Sequence, residues 1–418
     1  MNKNLKLLCI LLVLPCLAVW AMDFGLNLDQ SGGYGGYGEY SHPDYKASLI
    51  PRFSALFGDS GELYISAGMN AEYTERVEYI EYEQNVEKNW TFVPELLRTE
   101  FTWALDNGEF RVGRMHYSDP LGIIALGLFD GARFSYETGL GTFSLGAWYT
   151  GLLYKSRANI AMTVDEFNDI IADVDLSDFA NSYFAPSRLA AALDWENQSL
   201  GGGSLRANLS LLGQFDLSGA DKLLNTQYLT AKLSLPVQAF LFDLGGSLGL
   251  AQDDGNNETS FAAQLRAAWT IPGAIPSQLS LTGLYTSGES GGLGAFIPLT
   301  TVSQGSLLGA KPSGISVISL DFITRLHRTF SLSLSSAYFI RNGMDTFIDY
   351  PADMHFDGTK REGNLLGNEF FGRLYWMPIS DLAMNVGGGI FLPSMGNLTP
   401  EPDYNLWRIE FGLTLSLF

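Results

Sequence analysis

From Met22 onward, apolar residues recur at every second position in one segment after another, and nowhere is there a run of about 18 apolar residues. The last segment, LWRIEFGLTLSLF, shows the pattern plainly. Trp407, Ile409, Phe411, Leu413, Leu415 and Leu417 alternate with Arg408, Glu410, Gly412, Thr414 and Ser416. A period of two marks a β-strand whose two faces meet different surroundings. In a soluble sheet these are a core and bulk water. In a membrane barrel they are lipid outside and a wet lumen inside.

The connections between segments decide which. Strands are expected near 22–30, 44–57, 62–73, 92–105, 109–117, 130–138, 142–153, 187–197, 203–215, 227–235, 239–250, 259–271, 278–286, 316–326, 330–341, 368–377, 381–392 and 406–418. Each is near the length a tilted strand needs to cross a bilayer. Short turns such as GDSGE, DNGE, TGLGT, LHRTF and MPISD alternate with long segments at 31–43, 74–91, 118–129, 154–186, 216–226, 251–258, 287–315, 342–367 and 393–405. Outer-membrane barrels keep short turns on the periplasmic side and long loops outside. The expectation is all-β: a transmembrane antiparallel β-barrel of about 16 to 18 strands in the outer membrane of a diderm bacterium. Its last strand closes against its first. A soluble periplasmic β-protein is the alternative.

MNKNLKLLCILLVLPCLAVWA has a basic start (Lys3, Lys6), an apolar stretch and a small-residue exit at Ala21. It reads as a signal peptide over 1–21, leaving a barrel over 22–418. The chain's two cysteines, Cys9 and Cys16, both fall inside it. The barrel is therefore expected to use no disulfide, thiolate or cysteine–metal chemistry. A net charge of −20 argues against nucleic acid as a partner.

Giving each strand's apolar parity to lipid sends Arg52, Arg98, Arg111, Arg133, Arg188, Arg206, Lys232, Arg266, Arg325, Arg341, Arg373 and Arg408 inward. Lipid cannot hold them, since arginine at the midplane costs roughly 2–4 kcal/mol. Arg114 breaks the parity, so a bulge or a place near the rim is expected there. Glu62, Glu72, Glu100, Glu137, Asp194, Glu196, Asp243, Asp321, Glu369 and Glu410 share the inward parity. Two readings follow. Either the charges pair across strands and stiffen the wall, or the cations form a basic ladder that favours anions and polar hydroxylated solutes. Arg111, Arg133, Arg266, Arg325 and Arg373, from separate strands, are the candidates for such a ladder at different depths.

Most other acids fall in long segments: Glu75, Glu78, Glu81, Glu83 and Glu87 in one, Asp345, Asp349, Asp353, Asp357 and Glu362 in another. They read as solvated faces or divalent-cation ligands, but the calcium-loop pattern is missing. In 154–186, TVDEFNDIIADVDL carries Val164, Phe167, Ile170, Ile171 and Val174 at the helical period, with Thr163 and Glu166 as a capping box. Such a helix would either constrict the lumen or pack on the loop crown. GGYGGYG reads as a flexible loop. His42, His116, His327 and His355 lack zinc spacing. No enzyme, metal or cofactor is expected.

The terminal stretch resembles the recognition signal of outer-membrane barrels. Glu410, Gly412, Leu415 and Leu417 fit it, and Phe418 closes the chain on the parity of Ser416. The resemblance implies periplasmic chaperones and the barrel-assembly machinery as partners, beside outer-membrane lipid. FRVGRMHYSDPLGIIALGLFDGARFSYE (110–137) resembles a hairpin of the alginate-export porins: a strand ending in Gly113 and Arg114, a loop, then Asp130, Gly131, Ala132 and Arg133. LYTSGESG (284–291), followed by FIPLT, is similar to a later hairpin of that group. The resemblance implies an 18-stranded barrel moving an anionic polysaccharide outward through an Arg-lined pore. Arg111 and Arg133 are carried over because both also have inward parity. The expected function is thus a porin-like outer-membrane channel for small or oligomeric polar solutes, anions among them. A non-conducting surface or adhesin barrel and a fatty-acid-type transporter are the alternatives. The second needs an N-terminal plug, for which the stretch ahead of the second strand is too short.

Overall fold

The computed structural model describes residues 19–37, 40–80, 83–219, 223–253, 255–289, 293–343, 364–396 and 405–417. The strands are β1 (Val19–Tyr37), β2 (Tyr40–Phe57), β3 (Gly61–Ile80), β4 (Glu83–Leu105), β5 (Gly108–Ser118), β6 (Leu126–Thr138), β7 (Gly141–Tyr149), β8 (Arg188–Asn197) and β9 (Arg206–Asp216). They continue as β10 (Leu224–Val237), β11 (Phe240–Asp253), β12 (Asn256–Ile271), β13 (Ser277–Thr286), β14 (Ile315–His327), β15 (Phe330–Arg341), β16 (Leu365–Ile379), β17 (Leu382–Leu392) and β18 (Leu406–Leu417). Each pairs antiparallel with the next. β1 also pairs with β18, from Leu26↔Leu417 to Tyr37↔Leu406, so the eighteen strands close into one barrel.

The alternation read in the sequence is the wall's inside and outside. Leu145, Leu265, Ile409 and Val386 point outward and are 62%, 60%, 60% and 58% exposed. Apolar side chains left this open in every sector of a barrel form a band that water alone would not tolerate.

Three expected long loops are instead strand. β1 and β2 run on until only residues 38 and 39 separate them, β3 and β4 until 81 and 82, and β11 and β12 until 254 and 255. The physical reason is that strands continuing past the apolar band no longer need apolar residues outside, so the period of two fades while the ladder persists. The glycine-rich run of β1 is wall for the same reason. A Cβ on Gly33 would lie 2.4 Å from Nη2 of Arg408, so this strand is thin where a neighbouring arginine lies flat across it. β1 also begins inside the expected leader, with Val19 facing Phe57 and Ala21 facing Leu56. The acids at 345, 349, 353, 357 and 362, and Phe418, lie outside the described residues.

Three segments from the long-loop end fold into the interior: the tip of the β5–β6 hairpin, residues 150–187, and residues 287–289 with 293–314. Ile124, Ile160, Phe296, Leu299 and Leu308, all fully buried, form one cluster with the inward Phe339 and Phe391 of β15 and β17. The hairpin tip crosses the lumen, since a Cβ on Gly245 of β11 would lie 2.2 Å from Cδ2 of Leu121. The segments are also tied to one another. Thr300 N donates to Ile124 O (3.0 Å), Leu126 N to Thr300 Oγ1 (2.9 Å), and Thr301 N to Asn159 O (2.8 Å).

Candidate functional site

The bend that turns the β5–β6 tip inward starts at Gly113, whose φ of +116° is open to glycine but strained for other residues. Its neighbour Arg114 has outward parity, yet its side chain is only 6% exposed. Nε and Nη2 bind Asp130 at 2.8 and 2.7 Å, Nη2 also donates to Leu152 O (2.8 Å), and Nη1 donates to Leu96 O. The β4–β5 ladder ends here, at Thr99↔Arg114. Above it the free edge of β4 is met by side chains instead, including Tyr183, whose hydroxyl donates to Pro94 O (2.8 Å). Burial pushes that hydroxyl up to about 12. Inside the same turn, both carboxylate oxygens of Asp119 accept backbone N–H groups from Leu121, Gly122, Ile124 and Ala125 at 2.8–3.0 Å.

The expected inward cations fall into three groups. In the first, each cation reaches water and has an acid beside it. Arg98 binds Glu100 (2.8 Å) and lies 4.9 Å from the Tyr64 ring. Arg111 binds Glu109 and lies 3.8 Å from Glu100, and Arg133 lies 3.3 Å from Asp194. Arg266 lies 3.6 Å from Asp243. Arg373 binds Glu410, and Arg408 bridges Asp44 (2.7 Å) and Glu410 (3.6 Å). Their side chains are 28–47% exposed, Arg133 least and Arg98 most. Lys46, which sequence reading passed over, belongs here through Glu72. Arg52 lies across Gly25 of β1.

The second group is buried. Arg188 is 1% exposed and binds Glu166 of loop 150–187, Asp216 (3.4 Å) and Leu224 O (3.1 Å). Arg341 is 2% exposed. Neither side chain reaches lumenal water; Arg188 instead anchors the filling segments to the wall.

The third group, Arg206, Lys232 and Arg325, has no acid within 4 Å among the described residues. All three sit toward the short-turn end of β9, β10 and β14.

Loop 150–187 carries α1 (Lys155–Ala158), α2 (Val164–Ile171) and α3 (Phe179–Ser182). The expected capping box on α2 is present: Glu166 N donates to Thr163 Oγ1 (3.2 Å) and Thr163 N to Glu166 Oε2 (3.1 Å). The loop enters the buried cluster through Ile160 and Met162, ahead of the helix, while Val164 at the helix start is 61% exposed. The resemblance motif is the two halves of one register, with Gly113↔Gly131, Arg114↔Asp130 and Arg111↔Arg133 facing each other. The like charges of that last pair are each relieved by their own acids.

For the terminal signal, Glu410 holds two arginines, Gly412 lies against Asn385, and Leu417 points outward, 44% exposed. Parity placed Glu369 inward but not the backbone N–H groups it binds, and sequence reading missed Asp119. The only available hint was the apolar run PLGIIALGLF, too greasy for a solvated loop. Among the described residues, no group of three or more His, Cys, Asp or Glu side chains is placed to hold a metal ion.

No family model matches the chain, and no curated protein does. Solved structures match its fold. OccK2 (OpdF) of Pseudomonas aeruginosa superposes with a TM-score of 0.60 at 11% identity, covering 96% of this chain and 98% of that one. OccK7 (OpdD) of the same organism gives 0.58 at 9%, covering 95% and 99%. Acinetobacter baumannii OccAB4 gives 0.56 at 9%, covering 95% and 98%. At these identities the likeness is one of fold.

Proposed function

We propose that this chain is an outer-membrane channel that passes small polar solutes through a narrowed lumen and favours anions. The observation that carries the reading is the pairing of a continuous exposed apolar outer band with inward arginines that still reach water. A closed barrel of this kind leaves no open edge in lipid and keeps its charges in the lumen. The solved barrels of like fold are Occ/OprD porins, which supports a channel for small solutes. The anionic preference rests on Arg206, Lys232 and Arg325, which lack the acids that offset the other cations. An alginate-type polysaccharide is the finer form of the reading, supported by the 110–137 resemblance alone. Cleavage after Ala21, delivery by periplasmic chaperones and closure by the assembly machinery through Glu410–Phe418 belong to the same proposal.

One observation favours a second reading. The three filling segments bury a single cluster across the lumen, as a non-conducting surface barrel would. Purified protein in a planar bilayer separates the two. Stepwise current with a reversal potential on the anion side supports the channel, and silence at high protein concentration supports the closed barrel.

A further inference from the structure

We propose that Glu369 is a latch. Its carboxylate holds a small lobe of the 287–314 segment, Gln304–Ala310, against the wall, and loss of that charge frees the lobe and widens the lumen. The effect on current rests on the channel reading; the latch itself does not.

Glu369 is 2% exposed on the inner face of β16, and no ion pair accompanies it among the described residues. Its charge is satisfied by the lobe's backbone instead. Ser306 N donates to Oε1 at 2.6 Å, and Leu307 N and Leu308 N donate to Oε2 at 2.9 and 3.0 Å. Successive N–H groups converging on one anion form a nest, and hydrogen bonds to an ionised acceptor are about twice as strong as neutral ones. The lobe is closed on itself by Gln304 N to Ala310 O (2.7 Å) and Ala310 N to Gln304 O (3.0 Å). Leu307 and Leu308 are buried with Phe339, Leu366 and Phe391.

The rest of the segment is secured elsewhere. Its start is held at Ser287, which binds Gly294 and Phe296, and its middle at Thr300 and Thr301, which bind the other two filling segments. Its far side is held by Lys311, which donates to Ala161 O. Between Thr301 and Lys311, the described hydrogen bonds that tie the lobe to the wall converge on Glu369. The lobe can therefore leave the wall while its flanks stay in place.

The test compares wild type, Glu369→Gln and Glu369→Asp, each refolded and checked for the heat-modifiable migration of a closed barrel. Hydrogen exchange is followed by mass spectrometry on peptides covering 304–310 and 119–126, beside single-channel current. Glu369→Gln is expected to speed exchange in 304–310 about tenfold, leave 119–126 unchanged, and give a larger, noisier current. Glu369→Asp, which keeps the charge but shortens the reach, should fall between. Unchanged exchange in 304–310 overturns the latch. So does equal loosening of 119–126, because the lobe is then not an independent unit. Local loosening with identical current overturns the gating role. Local loosening in a protein that never conducts leaves the latch standing and sinks the channel reading.

Discussion

Arg114 and Asp130 face each other across β5 and β6 and share two hydrogen bonds of 2.8 and 2.7 Å, on the parity that elsewhere turns apolar residues outward. The pair sits where the hairpin leaves the wall, and its remaining donors cap the carbonyls of Leu96 and Leu152. Arg114→Met leaves a half-buried carboxylate and two carbonyls without their donor and should cost about 1–3 kcal/mol in unfolding from lipid vesicles by denaturant. Adding Asp130→Asn should recover more than half of that loss. A double variant no better than the single would show that the carbonyl caps, not the ion pair, hold the seam.

Gly245 should be as intolerant as any core position although it lies on a lumenal wall. Valine there would meet Leu121 at the tip of the β5–β6 turn. Overpacking of this kind costs about 1–3 kcal/mol. The tip is expected to retreat, and single-channel conductance to rise. Gly245→Val with wild-type current would mean that the tip does not border the path of ions.

The charge groups predict different effects on selectivity. Replacing Arg206, Lys232 and Arg325 together with Ser removes cations that have no acid beside them, and should move the reversal potential toward cations. Replacing Arg188 should leave selectivity unchanged and lower stability, because it is buried against Glu166 and Asp216. A salt-gradient measurement on the two variants decides this. Loop acids at the mouth contribute little, since their field is screened within about 8–10 Å.

Asp119→Asn should unfasten the inward turn. The carboxylate accepts four N–H groups, whereas an amide presents one oxygen and turns an NH2 toward donors. A cost of about 1–3 kcal/mol is expected, confined to the tip. Faster exchange over 119–126 with unchanged global unfolding is the expected signature.

Deleting Ser416–Phe418 removes the Leu26↔Leu417 and Asn27↔Ser416 pairs that close the barrel. The truncated chain should accumulate in the periplasm, because its open edge cannot be left in lipid. Normal surface levels would count against the signal reading.

The barrel was legible wherever lipid or lumen imposes a period of two, as in β15, whose bounds agree to the residue at Phe330–Arg341. It was illegible where neither does. Residues 31–37, 40–43, 74–80 and 83–91 lie in wall that no membrane needs to hold, so their glycines and acids looked like loop. Arg114 breaks the parity in the sequence, yet the β5–β6 register runs through it without the bulge expected there; its partner lies on the next strand, and a single strand's pattern contains no cross-strand register. The inward cations were assigned by parity, which says which way a side chain starts and not what covers it. Arg98 reaches water, 47% exposed, whereas Arg341 is 2% exposed although parity starts both inward. Glu369 and Asp119 act on backbone N–H groups, which carry no letter in a sequence.

The filling of the lumen also sets an order of events in time. The hydrogen bond from Leu126 to Thr300 spans 174 residues, and the buried cluster draws on residues from Met115 to Phe391. Closing such loops costs chain entropy, and the Leu26↔Leu417 pair that closes the wall spans a longer one still. Phe391 on β17 completes the interior as β18 completes the wall. A nascent chain that has not yet made these two strands has neither a closed cylinder nor a finished filling, so wall and contents are both late products of synthesis.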